Sequence, residues 1–360
     1  MKTFIGACIA ALAVAENPSS EKVTYLPGMG NFDTFGLYSG YIQLAGTRNI
    51  HYLFVEAKTN SATAPVLIWT NGGPGCSSML GFTQENGPFS IASGATSPTA
   101  FTENEWSWNN EANVLYIEQP AGVGFSYCSG VQDCSFTDHS SAQDNLDTIL
   151  AWYEKYPDYK ENELFISGES YGGIYVPYMA YFIDKFNEDH ASDDSFKPNL
   201  KGFAVGNGVT NWKYDTTAAF VDMGYWHSLY DTALHNQFKD EECDFTGPYM
   251  QKTSDTCMSL LNEFDGFVEY VNVYDIFGTC WGRGSAPQTE ASKTNTQWKP
   301  RKSSVTAHDY TPWAKRSNNQ SNELPPCTWG SPLIEYLNSD EVRQNLHIPS
   351  SIQAWDLCTS

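Results

Sequence analysis

The sequence predicts an α/β fold with a mainly parallel central sheet flanked by helices. Short apolar runs typical of buried strands occur at 66–69, 114–117, 164–166 and 203–205. Between the second and third runs, five apolar residues repeat at helical spacing from Ala142 to Tyr153. Strands that alternate with helices favour a parallel sheet covered on both faces. In such folds, binding and catalytic residues collect at the carboxyl ends of the strands.

The remaining patterns divide the chain into a core, an insertion and a return to the core. Alternation at 41–44 and 51–55 predicts an antiparallel hairpin, and helical spacing from Ile174 to Phe186 predicts a second helix. After residue 210 the chain changes to aromatic-rich helical pieces and a polar stretch. Helical apolar spacing then returns at 333–337 and 342–346. We therefore expect a core over 16–210, a helical and loop cap inserted over 211–326, and an incomplete return to the core over 327–360.

The first 15 residues have the pattern of a secretory signal peptide. Lys2 supplies a basic start, an apolar stretch follows at 4–14, and small residues precede a cleavage point after Ala15. The alternative is a buried N-terminal helix. No later apolar run reaches the length of a membrane span. These features predict a protein of the secretory pathway, located in a lysosome or vacuole or outside the cell.

The charge of the chain argues against two classes of partner. It has 42 acidic and 20 basic residues, a formal net charge of -22, which disfavours binding to nucleic acid or to an anionic membrane. An acidic compartment would reduce the self-repulsion, although a merely soluble secreted protein is the alternative. The polar stretch 282–323 is instead rich in Lys and Arg. We expect an exposed loop there, either a site of proteolytic nicking or a linker without a role in maturation.

The cysteines indicate disulfides rather than a metal site. Those that remain after the signal peptide include no C-x-x-C pair: Cys76, Cys128, Cys134, Cys243, Cys257, Cys280, Cys327 and Cys358. Spacing does not determine their connectivity, although Cys128 and Cys134 are placed to close a small loop, with free thiols as the alternative. Asn319 begins an N-x-S glycosylation acceptor, used only if it lies on an exposed loop. We expect no metal and no cofactor.

Ser170 is the candidate nucleophile. It is the centre of Gly-Glu-Ser-Tyr-Gly at 168–172, a G-x-S-x-G pattern between the apolar run 164–166 and the second predicted helix. A serine on such a turn has a strained backbone, and small neighbours let adjacent segments approach it. The helix N-terminus also favours developing negative charge. This pattern is typical of the α/β-hydrolase fold.

A glycine-rich loop follows the first buried strand. Residues 71–78 are Asn-Gly-Gly-Pro-Gly-Cys-Ser-Ser. Glycines at this position let backbone N–H groups point into a cleft, as an oxyanion hole requires. The second donor in this fold is the N–H that follows the nucleophile, here that of Tyr171. The alternative for the loop is an ordinary Gly-Pro turn.

With several further segments, these motifs resemble the serine carboxypeptidase family. The matching segments span nearly all of the chain after the signal peptide: 71–78, 85–89, 106–109, 112–127, 168–177, 204–208, 272–276, 326–327, 336–338, 342–343 and 355–358. The resemblance implies an α/β-hydrolase fold and removal of one C-terminal residue from a peptide through an acyl-enzyme on Ser170. It also implies a disulfide between Cys76 and Cys327.

The resemblance implies roles for residues around Ser170. Gly73 and Tyr171 would donate N–H groups to the oxyanion. The free carboxylate of the substrate would be bound by a larger set: Trp69, Asn71, Gly72, Glu85 and Glu169. A glutamate donates a hydrogen bond only when protonated, and two neighbouring carboxyl groups share a proton. We therefore expect an acidic optimum for hydrolysis of peptides with a free C-terminus.

The base and its orienting acid are not found in the expected places. In α/β-hydrolases the Asp or Glu and then the His follow the serine, and family members carry both beyond the segment that matches 355–358. The histidines after Ser170 do not match a catalytic position: His190, His227, His235, His308 and His347. We therefore expect a C-terminally incomplete chain that is unstable and catalytically very weak.

Two other functions stay open at this point. An acyltransferase or esterase on the same fold would recognise only the acyl group, and an inactive truncated homologue would have a protective or binding role. The presence of Asn71, Glu85 and Glu169 favours the peptidase. The sequence does not determine the oligomeric state, and a homodimer is left open.

Overall fold

The computed structural model describes most of the chain in several segments. The described residues are 18–91, 97–129, 134–246, 253–268, 271, 276 and 331–359. Four sequence predictions lie outside them: the signal peptide 1–15, the basic loop 282–323, the glycosylation acceptor Asn319 and the disulfide partner Cys327.

Twelve strands occur within the described residues. In chain order they are β1 (Lys22–Val23), β2 (Tyr25–Leu26), β3 (Gly30–Asn31), β4 (Leu37–Gln43), β5 (Arg48–Val55), β6 (Val66–Thr70), β7 (Phe89–Ile91), β8 (Phe101–Glu103), β9 (Asn113–Ile117), β10 (Tyr127–Cys128), β11 (Leu164–Glu169) and β12 (Leu200–Gly206). All four apolar runs that predict buried strands lie in β6, β9, β11 and β12.

Eight of these strands form one mixed sheet. Its order is β1-β4-β5-β9-β6-β11-β12, with β10 paired to β5. Strands β9, β6, β11 and β12 run parallel to one another, and β9 pairs antiparallel with β5. Strands β4 and β5 form the predicted antiparallel hairpin, with Ile42 opposite Ile50. The prediction of a mainly parallel sheet flanked by helices is confirmed.

Seven α-helices occur in the described segments. They are α1 (Asp138–Lys155), α2 (Gly172–Asp189), α3 (Thr217–Trp226), α4 (Thr232–Asp240), α5 (Asp255–Val268), α6 (Ser331–Asn338) and α7 (Asp340–Asn345). Helix α1 begins at a capping box, because the Thr137 hydroxyl accepts from the Ser140 N–H and the Ser140 hydroxyl in turn accepts from the Thr137 N–H. Helices α1 and α2 match the two helices predicted between strands.

The sheet has an apolar core on each face. Along β5, Tyr52 and Phe54 pack with α1 and α2, and the alternate residues Leu53 and Val55 pack with α6 and α7. This alternation follows from the two-residue repeat of a strand. The helices of the C-terminal segment 331–359 are therefore required to cover one face of the sheet.

Strand β12 forms where the sequence predicts a strand, but it is not buried as expected. It is the outermost strand of the described sheet, next to β11. The Phe203 side chain is 55% exposed. Because a buried strand needs neighbours on both sides and both faces, position at the sheet edge explains the difference.

Helices α3, α4 and α5 form a separate apolar cluster within the predicted insertion. Its buried members include Leu234, Phe238 and Phe264. A disulfide between Cys243 and Cys257 links the region after α4 to α5. The cap and its boundaries 211 and 326 stay predictions.

Candidate active site

Ser170 lies on a tight turn between β11 and α2. Its φ is 57°, a left-handed conformation that non-glycine residues rarely adopt. The Ser170 N–H donates to the Gly206 carbonyl at 3.1 Å, and the Ser170 carbonyl accepts from the N–H groups of Gly173 at 3.0 Å and Val209 at 2.8 Å. These bonds hold the turn in a conformation that costs of order 1–3 kcal/mol. The geometry is that of a strand-turn-helix nucleophile elbow.

Two glycines of the elbow are required by close backbone contacts. A Cβ atom on Gly168 would lie 2.5 Å from the Thr70 carbonyl oxygen, and one on Gly173 would lie 2.7 Å from the Val209 nitrogen. Real Cβ atoms do not approach backbone this closely. Packing against β6 therefore requires the first glycine of the G-x-S-x-G motif, and packing against the segment after β12 requires Gly173, the residue directly after the motif. A Cβ atom on Gly172, the second glycine of the motif, would make only an ordinary contact at 3.6 Å.

The glycine-rich loop packs directly on the elbow. Strands β6 and β11 are adjacent, with Thr70 opposite Gly168, so the segments that follow them start side by side. A Cβ atom on Gly72 would lie 2.9 Å from the Ser170 Cβ and closer still to the Tyr171 nitrogen. The structure thus brings the predicted loop and the predicted nucleophile into contact.

Gly73 has the conformation expected of a residue that exposes its N–H. Its φ is 112°, which side-chain-bearing residues rarely adopt. Among the described residues, the Gly73 N–H donates no hydrogen bond. Gly73 directly follows Gly72, which packs on Ser170, and Tyr171 directly follows Ser170, so both N–H groups belong to the segments that meet at the candidate nucleophile.

Asn71 joins the two glutamates that the sequence predicts as carboxylate-binding residues. Its Nδ2 donates to Glu85 Oε1 and to Glu169 Oε1, each at 2.9 Å. Its Oδ1 accepts from Trp69 Nε1 at 2.8 Å and from the Gly81 N–H at 3.0 Å. Because Oδ1 faces two donors, the amide orientation is determined and Nδ2 must face the carboxyl groups. Trp69, Asn71, Glu85 and Glu169 thus form one network.

The carboxyl groups of Glu85 and Glu169 retain a proton at pH values where glutamates are ordinarily ionised. Burial, followed by the charge of Glu169, raises the pKa of Glu85 to about 8. Burial also raises the pKa of Glu169, against the hydrogen bonds from Asn71 and Glu85. Two close carboxyl groups in a desolvated place cannot both ionise at low cost. At acidic and neutral pH the pair is therefore a hydrogen-bond donor as well as an acceptor.

The sequence alone did not indicate three residues that shape this network. Trp108 packs edge-on against Trp69 at 5.2 Å between ring centroids. Gly81 supplies one of the two donors to Asn71, and a Cβ atom there would collide with the Trp69 ring. Burial and the nearby Glu85 charge raise the pKa of Tyr116 well above its usual range. Trp108 and Tyr116 lie in segments of the family match, 106–109 and 112–127, whereas Gly81 gave no sequence signal.

Comparison with known proteins decides the family. The family profile described as serine carboxypeptidase matches residues 27–360. The chain belongs to the serine carboxypeptidase family.

Individual relatives agree with this assignment. The chain is 33% identical over 354 residues to lysosomal protective protein from Mus musculus, covering 95% of this chain and 70% of that protein. It is 32% identical over 359 residues to serine carboxypeptidase ctsa-4.1 from Caenorhabditis elegans, covering 98% and 70%. The solved structure of Kex1(delta)p, a prohormone-processing carboxypeptidase from Saccharomyces cerevisiae, superposes with a TM-score of 0.64 at 20% identity, over 95% of this chain and 71% of that one. This last likeness shows a shared fold.

One disulfide of this serine carboxypeptidase differs from the expected pairing. Cys76 bonds to Cys358, not to Cys327, across a sequence separation of 282 residues. The chain reaches this pairing because 357–359 runs beside the glycine-rich loop, with Ser77 N–H donating to the Leu357 carbonyl. Sequence spacing could not distinguish the two partners. The loop between Cys128 and Cys134 is closed by a disulfide.

No histidine among the described residues bonds to the Ser170 hydroxyl. His190 Nδ1 lies against the Phe186 carbonyl, His235 against the Tyr230 hydroxyl, and His347 against the Ser39 carbonyl. His308 lies outside the described residues. The elbow and the carboxyl pair are thus assembled without a contacting histidine base in this part of the structure.

Metal and membrane features were also sought in the described segments. They contain no group of three or more His, Cys, Asp or Glu side chains arranged to hold a metal ion. None of the helices there combines the length and apolar character needed to cross a membrane.

Proposed function

We propose that this serine carboxypeptidase family member releases C-terminal residues from peptides through an acyl-enzyme on Ser170. One observation carries the proposal: Asn71, in the loop that packs on the nucleophile elbow, bonds to two buried glutamates that retain a proton. An esterase would need the elbow alone. A site that also donates hydrogen bonds to a carboxylate selects the end of a peptide chain.

Recognition of the substrate carboxylate follows from the shared proton. A peptide C-terminus is an anion, and an ionised glutamate pair would repel it. With the pKa of Glu85 at about 8, the pair can donate a hydrogen bond to that anion, and Asn71 Nδ2 holds the two carboxyl groups in place. The Gly72 N–H and the Trp69 ring would complete the set. We assign the carboxylate of the substrate to this place.

The bond-breaking step then takes place at Ser170. Its Oγ attacks the carbonyl carbon of the last peptide bond, and the N–H groups of Gly73 and Tyr171 stabilise the oxyanion. The C–N bond breaks, the terminal amino acid leaves, and water hydrolyses the ester on Ser170. The two glycines flanking the contact, Gly72 and Gly168, allow the loop and the elbow to approach.

Ser170 also needs a base to accept its proton. Because no described histidine bonds to its hydroxyl, we expect residues 16–360 by themselves to turn over peptides very slowly. Robust turnover by that purified segment would contradict this expectation.

An acidic lumenal compartment suits the proposed activity. The net charge of -22 is reduced there by protonation, and the carboxyl pair retains its proton. One relative is named lysosomal protective protein. We therefore propose a lysosomal, vacuolar or secreted location, which localisation of the tagged protein would test.

A pair of ligands tests the proposal without requiring turnover. The Ser170→Ala variant is titrated with an N-blocked dipeptide and with its C-terminal amide, and binding is measured by calorimetry. We expect the free acid to bind at least about tenfold more tightly, since each charge-assisted hydrogen bond contributes about 1.5–3 kcal/mol. The Asn71→Ala variant should remove this preference. Equal affinity for acid and amide would favour the acyltransferase or esterase function, and no binding of either would favour an inactive homologue.

A further inference from the structure

A second serine, histidine and acid lie in line beneath the glycine-rich loop, away from Ser170. His51 Nε2 is 2.9 Å from Ser39 Oγ, and His51 Nδ1 is 2.8 Å from Glu118 Oε2. All three side chains are at most 1% exposed. The order of groups is that of a catalytic triad, but no substrate could reach this serine.

The hydrogen bonds determine where the protons are. The Ser39 hydroxyl donates to the Leu346 carbonyl at 2.6 Å. Its single proton is therefore used, and His51 Nε2 must donate to Ser39 rather than accept from it. Nδ1 and Glu118 share one proton across their 2.8 Å contact, which joins the acid to the ring. The serine cannot act as a nucleophile because its proton is directed away from the histidine.

Glu118 is the acid that faces the histidine. Besides His51, it accepts from the Phe125 N–H at 2.9 Å, from Trp355 Nε1 at 3.1 Å and from the Ser77 hydroxyl. These three donors occupy the remaining acceptor positions of the carboxyl group. A buried ion pair is costly unless its remaining hydrogen-bonding capacity is satisfied, and here it is.

The pair is connected to the glycine-rich loop. Ser77 belongs to this loop, and its N–H donates to the Leu357 carbonyl at 2.9 Å. The adjacent Ser78 hydroxyl donates to the Ile117 carbonyl at 2.6 Å and accepts from the Asn71 N–H at 3.2 Å. Glu118 directly follows Ile117. Two consecutive serines thus anchor the loop to the carboxyl end of β9.

We propose that the His51–Glu118 ion pair is a positioning device for the loop 71–78. Through Ser77 and Trp355 it holds the loop between β9 and the C-terminal segment 355–359, and so sets where Gly73 and Asn71 stand relative to Ser170. The structural part of this proposal stands on the hydrogen bonds alone. Its catalytic consequence rests on the function proposed above, because the oxyanion and carboxylate roles belong to that function.

The test compares the same substitution at two glutamates, one that contacts His51 and one that does not. Glu118→Gln neutralises the pair with little change of shape. The matched control is Glu56→Gln, since Glu56 directly follows the same strand as His51 and accepts from the Gly36 N–H and the Tyr159 hydroxyl, without contacting the loop. Two readouts are used on the full chain: histidine ¹⁵N NMR, with the His51 signal assigned by its loss in His51→Gln, and amide hydrogen exchange.

We expect the wild type and Glu56→Gln to show a His51 ring with a proton on both nitrogens, as an ion pair with Glu118 requires. In Glu118→Gln that signature should be lost, and exchange over 72–78 should rise at least about tenfold while exchange in α5 stays unchanged. A rise of the same size throughout the chain would mean a general structural role and would overturn the proposal. So would unchanged exchange over 72–78, or a neutral His51 ring in the wild type.

Ser77→Ala removes the hydrogen bond between the loop and Glu118 but keeps the contact between His51 and Glu118. This variant also tests the proposal if Glu118→Gln does not fold. Amide exchange over 72–78 should rise in Ser77→Ala as it does in Glu118→Gln, while the doubly protonated His51 signal stays intact. Unchanged exchange over 72–78 in this variant would refute the connection.

Where the wild type hydrolyses peptides, Glu118→Gln should lower kcat about 10- to 100-fold with little change in KM for an amide substrate. Absence of turnover in the wild type would count against the proposed function, and the exchange data would still decide the positioning role.

Discussion

The raised pKa of Glu85 makes a quantitative prediction about ligand binding. If only the protonated pair binds a free carboxylate, affinity should be constant at acidic and neutral pH and fall above the pKa of about 8. The dissociation constant should then be roughly tenfold higher at pH 9 than at pH 6. A glutamate with its ordinary pKa near 4.5 would already have lost more than about 100-fold by pH 7. The two cases differ by orders of magnitude at neutral pH.

The assay is calorimetric titration of Ser170→Ala from pH 5 to 9.5. Binding of an N-blocked dipeptide is compared with binding of its C-terminal amide, which lacks the charge. The matched variant Glu85→Gln keeps a donor at every pH, so the decrease above pH 8 should be largely absent in it. If affinity for the acid declines between pH 5 and 7, or if acid and amide decline in parallel, the shared-proton argument is wrong.

Four further outcomes are expected. Because the pKa of Glu85 is raised on folding, the free energy of unfolding should decrease as pH rises from about 4.5 through about 8. Denaturant titrations of Glu85→Gln should show a shallower decrease with pH. An equal decrease in the variant and the wild type would contradict the raised pKa. Gly72→Ala should lower turnover at least about tenfold, because its methyl group collides with the elbow, and wild-type rates would exclude that contact. Cys358→Ser should lower stability by about 2–5 kcal/mol in urea unfolding, and no change would argue against the disulfide with Cys76. Phe264→Ala should lower the free energy of unfolding by about 3–5 kcal/mol, so the helices α3 to α5 should melt at a lower temperature. An unchanged melting temperature would mean that this cluster is not a packed core.

Much of the sheet could be predicted because its signals are local. An apolar run such as 164–166 or 114–117 is long enough to identify a strand, and helical spacing from Ala142 to Tyr153 identifies α1. The exposure of β12 could not be predicted in this way. The residues 203–205 are apolar, but burial depends on which other segments lie beside them, and Phe203 is at the sheet edge.

Only part of the candidate site could be predicted from the sequence. The elbow at Ser170 and the glycine-rich loop each depend on residues a few positions apart, so a sequence motif identifies them. The pairing of Cys76 with Cys358 joins segments 282 residues apart, and no local pattern distinguishes Cys358 from Cys327. The contacts of Trp108 and Gly81 with Trp69 likewise arise only when separate loops meet.

By itself the sequence determined the fold class and the family, and it singled out Ser170 as the candidate nucleophile, because backbone conformation and strand patterns are encoded over short stretches. Tertiary structure alone decided that Asn71 lies between Glu85 and Glu169, 14 and 98 residues away along the chain. It also decided that the His51 ring meets Ser39 and Glu118, 12 and 67 residues away along the chain. Protonation depends on burial and neighbouring charge, and both are properties of the folded molecule.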